Sequence, residues 1–295
     1  MRVSSRTRWA PITLVIGVAA CTHGVPSSTL HPEEPLTLSA VTLPEGTALS
    51  EEALVAYLAD VQVVYVGERH DAPVDHAVQA RLVALLDPDV LGMEMFQRPF
   101  QAPLDAYGSG TLDEAGMLAE TEWSERWGRP FEMYRGVVEA GRTGGARLLA
   151  LNAPREWTRT IGRTGIESLA PEIRSALPEM PADEAHRAMV MEALSEHGGH
   201  GGESMDPAML ERFYTAQLVW DEVMGQTLAE ALAGDDRAVV IAGRMHVQRG
   251  LGIPRTAMRR GVRSHRIVLP LTDEEIDAER ENPVGLCDVA VRVSE

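Results

Sequence analysis

The chain contains no lysine. All 27 of its basic residues are arginine, set against 44 aspartates and glutamates, and the formal charge is −17. The exclusive use of arginine reads as a genome composition bias and not as a site. A surface this acidic argues against a nucleic-acid partner and against electrostatic docking on anionic lipid. Cysteine is nearly absent as well, with only Cys21 and Cys287. Two cysteines build no disulfide framework, and without CxxC or CxxCH there is neither a thiolate zinc site nor covalent c-type haem. HExxH, GxSxG and the P-loop are missing. The stretch Gly243–Gly250 (GRMHVQRG) is not GxGxxG, so nothing in it cradles a pyrophosphate. Long apolar runs are also lacking. The one apolar segment near the N-terminus, Ala10–Ala20, falls short of the roughly 20 residues that span a bilayer.

That short run is preceded by Arg2, Arg6 and Arg8 and ends in small residues, the pattern of a secretion signal over residues 1–20. Its end, Val18-Ala19-Ala20-Cys21, resembles a bacterial lipobox, in which the cysteine is acylated and becomes the new N-terminus. Cleavage before Cys21 removes three arginines and takes the formal charge to −20. The polar, Pro-rich stretch Thr22–Glu34 suits a tether. Residues 21–49 are therefore expected to be a lipid-anchored linker. Because the surface is acidic, the acyl chains on Cys21 must hold the protein to the membrane. Thr22 after the cysteine, in place of Asp, points to the outer membrane of the cell envelope.

Residues 50–295 read as one α/β domain: a mostly parallel sheet flanked by helices, with a smaller helical subdomain. The expected strands are Val61–Gly67, Val90–Met95, Arg147–Asn152, Ala238–Gly243 and His265–Leu269, with Val289–Val293 as a sixth at an edge. Each is short, apolar and β-branched or leucine-rich, as strands covered on both faces are. Helices are expected over Ser50–Ala59, over Pro73–Leu86 and from Asp206 to Ala233, with Asp206 as N-cap, Pro207 at N1 and Gly234 just past the end. The helical insertions near 97–145 and 155–205 exceed what crossovers need. His197–Ser204 (HGGHGGES) reads as a Gly-rich loop.

In open parallel sheets, ligands bind beyond the C-terminal ends of the strands. Here those ends deliver Glu68 and His70, then Glu94, then Asn152, then His246 to one edge, with His76 and Gln79 close behind. Each residue alone has a plainer reading. His70 can cap a helix, Glu94 can pair with Arg69, Arg98 or Arg244, His246 can hold its loop, and Asn152 can make a turn. Together they offer a general acid/base pair or two imidazoles and a carboxylate for a divalent metal.

The stretches VGERHDAPVDHAVQ (66–79), LGMEMFQRPFQAPLDAY (91–107), LNAP (151–154), AQLVWDEVMGQTLAEAL (216–232) and AGRMHVQRGLGIP (242–254) together resemble the ChaN family, haem-binding envelope lipoproteins linked to iron uptake. A wider group includes TIKI-type metalloproteases and erythromycin esterase-like hydrolases. The resemblance implies the same α/β fold, haem as cofactor held by a tyrosine, a homodimer and an outer-membrane receptor as partners. The tyrosines placed beside the crevice are Tyr107 and Tyr134, with Arg98, Arg126, Arg129 and Arg135 near them for the propionates. His197 and His200 are alternative ligands. The wider group implies the alternative, a hydrolase using Glu68, His70, Glu94 and His246, with or without a divalent metal on His70 and His246. A slot lined by aromatic or Met side chains would favour haem, and a narrow polar cleft would favour the hydrolase.

Overall fold

The computed structural model describes residues 36–197, 206–282 and 285–294. Cys21, the signal and tether before residue 36, and His200 lie outside the described residues. So does the side chain of His197, whose backbone ends the helix Glu184–His197. Among the described residues no helix is long and apolar enough to cross a membrane.

Eight strands form one sheet: β1 (Ala40–Thr42), β2 (Ala48–Leu49), β3 (Val63–Glu68), β4 (Val90–Gln97), β5 (Arg147–Asn152), β6 (Ala238–Gly243), β7 (His265–Leu271) and β8 (Val289–Arg292). Their order is β2-β1-β8-β7-β3-β6-β4-β5. The six strands from β8 to β5 run parallel, and β1 joins β8 antiparallel. The strand expectations hold in position. The edge is different, because β8 is an interior strand. The expected linker of residues 21–49 is corrected over its last part, where β1 and β2 extend the sheet and cover β8. Strands of three and two residues are too short for any alternation to register.

Period-two alternation sends each strand's side chains into two cores. Val64, Val66, Leu91, Met93, Val239 and Ile241 pack under the helices Glu51–Leu58, Pro73–Leu86 and Glu132–Gly144. Val63, Tyr65, Val240 and Ala242 pack on the other face with Met224 and Leu228 of the helix Pro207–Ala231. That long helix begins as expected, with the Asp206 side chain accepting from Ala208 N–H and Pro207 at its first turn. It stops at Ala231, and Gly234 turns with positive φ (55°) in the following loop. The helices between β5 and β6 carry apolar clusters of their own, one around Ile161, Val219 and Val223 and one around Met189, Val190 and Tyr214. Cys287 is buried and free, and burial pushes its thiol up to about 12, which leaves it unreactive.

Candidate functional site

β3, β6 and β4 are neighbours, and their C-terminal ends meet at one crevice. Glu68 is the last residue of β3 and its carboxylate is buried. Four side chains surround it. His70 Nδ1 lies 2.7 Å from Oε1, and the Tyr134 hydroxyl donates to the same oxygen at 3.0 Å. Gln79 Nε2 donates to Oε2 at 2.8 Å, and His76 Nδ1 lies 3.3 Å from it. Burial pushes the Glu68 carboxyl up, but the hydrogen bonds and charges of His70 and His76 outweigh it and hold the group down at about 2. An ionised Glu68 only accepts, so the His70 proton sits on Nδ1 and the lone pair on Nε2.

Glu94, on β4 at the far side of β6, accepts the Gly243 N–H on Oε2 at 2.6 Å and faces His246 Nε2 with Oε1 at 3.3 Å. His246 Nδ1 in turn lies 2.6 Å from Asp221 Oδ1. Asp221 Oδ2 takes His186 Nε2 at 2.9 Å. Burial disfavours the charge on His246, but Glu94 and Asp221 on its two sides raise it well above the ordinary imidazole value. Both Glu94 and Asp221 are held below the usual carboxylate range, against burial, by the His246 charge first. His246 is thus an imidazolium clamped between two carboxylates. Asn152 braces the site by donating to the Glu94 carbonyl at 2.9 Å.

Two glycines make this approach of strands and loops feasible. A Cβ on Gly243 would lie 2.8 Å from both Cε1 and Nε2 of His70. A Cβ on Gly67 would meet Leu269 at 2.4 Å and Val247 at 2.9 Å. Only a residue without a side chain lets the His70 ring lie across the β6 end.

The crevice opens as two cavities that meet at His70 and His246, of about 370 and about 720 Å³. Small-molecule sites occupy about 300–1,000 Å³. The smaller cavity is lined by Met95, Trp127 and Trp220 together with Arg126, Arg129 and Arg155. Trp127 meets His70 edge-on with centroids 5.0 Å apart, and Trp220 lies 6.1 Å from the His246 ring. The larger cavity adds Met189, Met245 and Leu286. The lining thus mixes Trp and Met side chains with arginines and with the strand-end histidines and carboxylates.

The structure therefore brings Glu68, His70, Glu94, Asn152 and His246 together, with His76 and Gln79 directly behind Glu68. It places the expected tyrosine ligands elsewhere. Tyr134 is fully buried, and its hydroxyl is committed to Glu68. Burial, then the Glu68 charge, push its ionisation far above the usual phenol value, so a phenolate is strongly disfavoured there. Tyr107 lines neither cavity. It donates to Glu139, lies under Arg142, and is pushed up to about 12, by burial first. Of the four expected arginines, Arg126 and Arg129 line the smaller cavity, Arg98 lines neither, and Arg135 pairs with Glu114 instead. Among the described residues no three His, Cys, Asp or Glu side chains are arranged to hold a metal ion. Sequence reasoning missed Asp221, Gln217, His186 and Arg155. The pair Gln217 and Asp221 did carry a signal, being polar residues at i, i+4 on an otherwise apolar face with Tyr214, Met224 and Leu228.

Comparison with known proteins adds the following. The family model described as haem-binding uptake, Tiki superfamily, ChaN matches residues 54–256. No curated protein matches the chain. Among solved structures, ChaN of Campylobacter jejuni, described with cofacial haem binding, superposes with a TM-score of 0.69 at 15% identity, covering 86% of this chain and 96% of that one. At that identity the likeness is one of fold. The type III effector HopBA1 gives 0.45 at 14% identity, covering 83% and 93% of the two chains. The erythromycin esterase EreC gives 0.46 at 12%, covering 79% and 77%.

Proposed function

The chain belongs to the ChaN family of haem-binding uptake proteins in the Tiki superfamily, and from that premise we propose that it is an envelope lipoprotein that binds haem in the His70–His246 crevice for haem or iron uptake or storage. The observation that carries this reading is the lining of the smaller cavity. Trp127, Trp220 and Met95 supply apolar surface to it, and Arg126, Arg129 and Arg155 supply cationic groups suited to two carboxylates. Of these, Arg129 makes no ion pair among the described residues, so its charge is available. Bound haem would supply the iron. The chain's own part is to sandwich the ring, neutralise its propionates and exclude water from its faces.

Haemin titrated into the purified protein should give a saturable change in the absorption spectrum, and a linear, non-saturating change would dismiss the reading. The remaining parts of the proposal are separate. Acylation at Cys21 would anchor the protein to the envelope, at the outer membrane where the cell has one. Two or more acyl chains are needed for a stable anchor. Cys21→Ala should therefore move the protein out of the membrane fraction, and retention there after normal processing would end the lipoprotein reading. A homodimer and an outer-membrane receptor are the partners that fit uptake, and the first would show as a haem-dependent mass change in light scattering.

A second reading is supported by the His70–Glu68 pair. An imidazole with its Nδ1–H on a carboxylate and Nε2 open is the arrangement of a general base. It would take a proton from water attacking an ester or amide carbonyl, with His246 and Glu94 beside it. If Glu94→Gln and His70→Gln leave any esterase or peptidase turnover unchanged, that turnover does not come from this crevice.

A further inference from the structure

We propose that the larger cavity is a separate binding site for a single-chain amphiphile, with an oxyanion head of the carboxylate or phosphate type on a flexible apolar tail. This goes beyond the haem reading and does not rest on it.

The two cavities share His70 and His246 but differ in their other lining residues. Trp127 and Trp220 line the smaller one, whereas no Trp, Tyr or Phe among the described residues lines the larger. Its apolar surface comes from Met189, Ala193, Met245 and Leu286. Unbranched methionine side chains adapt to ligands of varied shape. Such a lining suits a chain that bends better than a rigid disc. At about 720 Å³ the cavity is of small-molecule size.

The head follows from the donors. Arg69, Arg244, Gln248 and Arg249 all line this cavity. Arg69 is well engaged, with Nε at 3.1 Å and Nη2 at 2.8 Å from the Asp75 carboxylate. Arg244 makes two longer contacts, 3.2 Å to Glu275 and 3.5 Å to the Pro270 carbonyl, and Arg249 reaches Glu192 at 3.4 Å. The Nε of both Arg244 and Arg249 is buried and has no acceptor among the described residues. Gln248 gives its amide to the Met245 sulfur, a weak acceptor. The turn after β6 thus presents two guanidiniums whose donors the protein leaves largely unmet, and charged donors without acceptors are costly to bury. Arg249 also sits at a positive φ of 56°, a strained conformation for a residue with a side chain. Its N–H is pinned to the Leu286 carbonyl at 2.8 Å, which holds the turn in place.

Three carboxylates share the lining, and they differ in availability. Glu68 is enclosed by His70, His76, Gln79 and Tyr134. Glu279 accepts the Leu286 N–H at 3.0 Å. Glu192 is 57% exposed and only loosely paired with Arg249, so it is the group that a ligand's head displaces. Binding is non-covalent. The head takes the place of Glu192 and solvent at the guanidiniums, and no proton or electron moves.

The test titrates the purified full protein by calorimetry with octanoate and with octyl phosphate, each below its micellar concentration. At least one should give a saturable isotherm with one site per chain, and the tighter of the two names the head. Octanol lacks the charge and acetate lacks the chain, and each should bind about tenfold more weakly or worse. Arg249→Gln should weaken the amphiphile by about tenfold, and Glu192→Gln should tighten it. Ala193→Phe should fill the cavity and block the amphiphile while leaving the haemin titration as in wild type. No saturable isotherm with either amphiphile overturns the proposal, and so does octanol binding as tightly as the charged ligands. Unchanged amphiphile binding in Ala193→Phe places the ligand elsewhere and overturns it equally. Competitive displacement of the amphiphile by haemin shows one shared site and overturns the separation. An amphiphile that saturates where haemin does not supports this site and removes the haem reading alone. If Arg249→Gln fails to fold, Glu192→Gln decides, because it changes an exposed side chain and an unaltered affinity there overturns the proposal.

Discussion

Replacing Tyr134 with phenylalanine separates two roles for that residue. The substitution removes one oxygen and leaves the ring in its packing against Trp123, Trp127 and His76. What is lost is a 3.0 Å hydrogen bond to a buried, ionised carboxylate. Hydrogen bonds to charged groups contribute about 1.5–3 kcal/mol. Glu68 keeps His70, His76 and Gln79, so the cost should fall near the lower end, about 2 kcal/mol. A domain of this size shifts by about 3 °C per kcal/mol, which gives a fall in Tm of about 6 °C by scanning calorimetry. Haemin titration of the same variant should still saturate and keep the ligand class of wild type, because the phenol never reaches iron. A Tm within about 1 °C of wild type would refute the buried-acceptor argument. Loss of the wild-type haem spectrum with an intact fold would refute the placement of Tyr134 behind the crevice wall and restore it as the ligand.

Other outcomes follow from the same geometry. Gly243→Ala should displace the His70 ring, at an overpacking cost of about 1–3 kcal/mol, seen as a lower urea midpoint in a protein that still unfolds cooperatively. Asp221→Ala strands the imidazolium of His246 in the interior and should cost about 3–5 kcal/mol in urea unfolding, whereas a change below 1 kcal/mol would mean that His246 is neutral. The pH dependence has a definite sign. His70, His76 and His246 are all raised, against burial, by Glu68, Glu94 and Asp221, so their contribution is complete below the unfolded imidazole value of about 6.5 and is lost as pH rises through the folded values. Glu68 works in the other direction, its contribution being present above the ordinary carboxylate range and lost as pH falls toward about 2. Tm should therefore be highest near pH 5–6 and fall toward pH 9, and a flat profile over that interval would contradict the upward shifts of the three histidines.

The parts of the fold that were legible in the sequence are those with a repeated signal. Val63–Glu68 and Ala238–Gly243 announce themselves as buried parallel strands, and the polar residues just past them fall where an open sheet binds ligands. Position along the chain then sufficed to gather Glu68, Glu94 and His246. It did not suffice to say which way Tyr134 points. A tyrosine within an amphipathic helix can turn its hydroxyl inward or outward by a small rotation of the helix, and the partner that decides it, Glu68, is 66 residues away. His186 met Asp221 only through the packing of two helices, a contact with no local sequence correlate. The hairpin of β1 and β2 was hidden by its brevity and by the polar stretch that precedes it.

The spread of the site along the chain has a consequence for the order of events. The Glu94–Gly243 contact spans 149 residues, and the crevice draws on three adjacent strands that are far apart in sequence. No fragment of the chain carries a partial version of it, so ligand occupancy and completion of the sheet belong to a single equilibrium. A ligand present at a hundred times its dissociation constant would deepen the native well by about 2.7 kcal/mol everywhere at once. Conversely, a chain threading through a membrane in extended form has nothing with which to hold a porphyrin. On the envelope reading proposed above, loading would then follow closure of the sheet beyond the membrane.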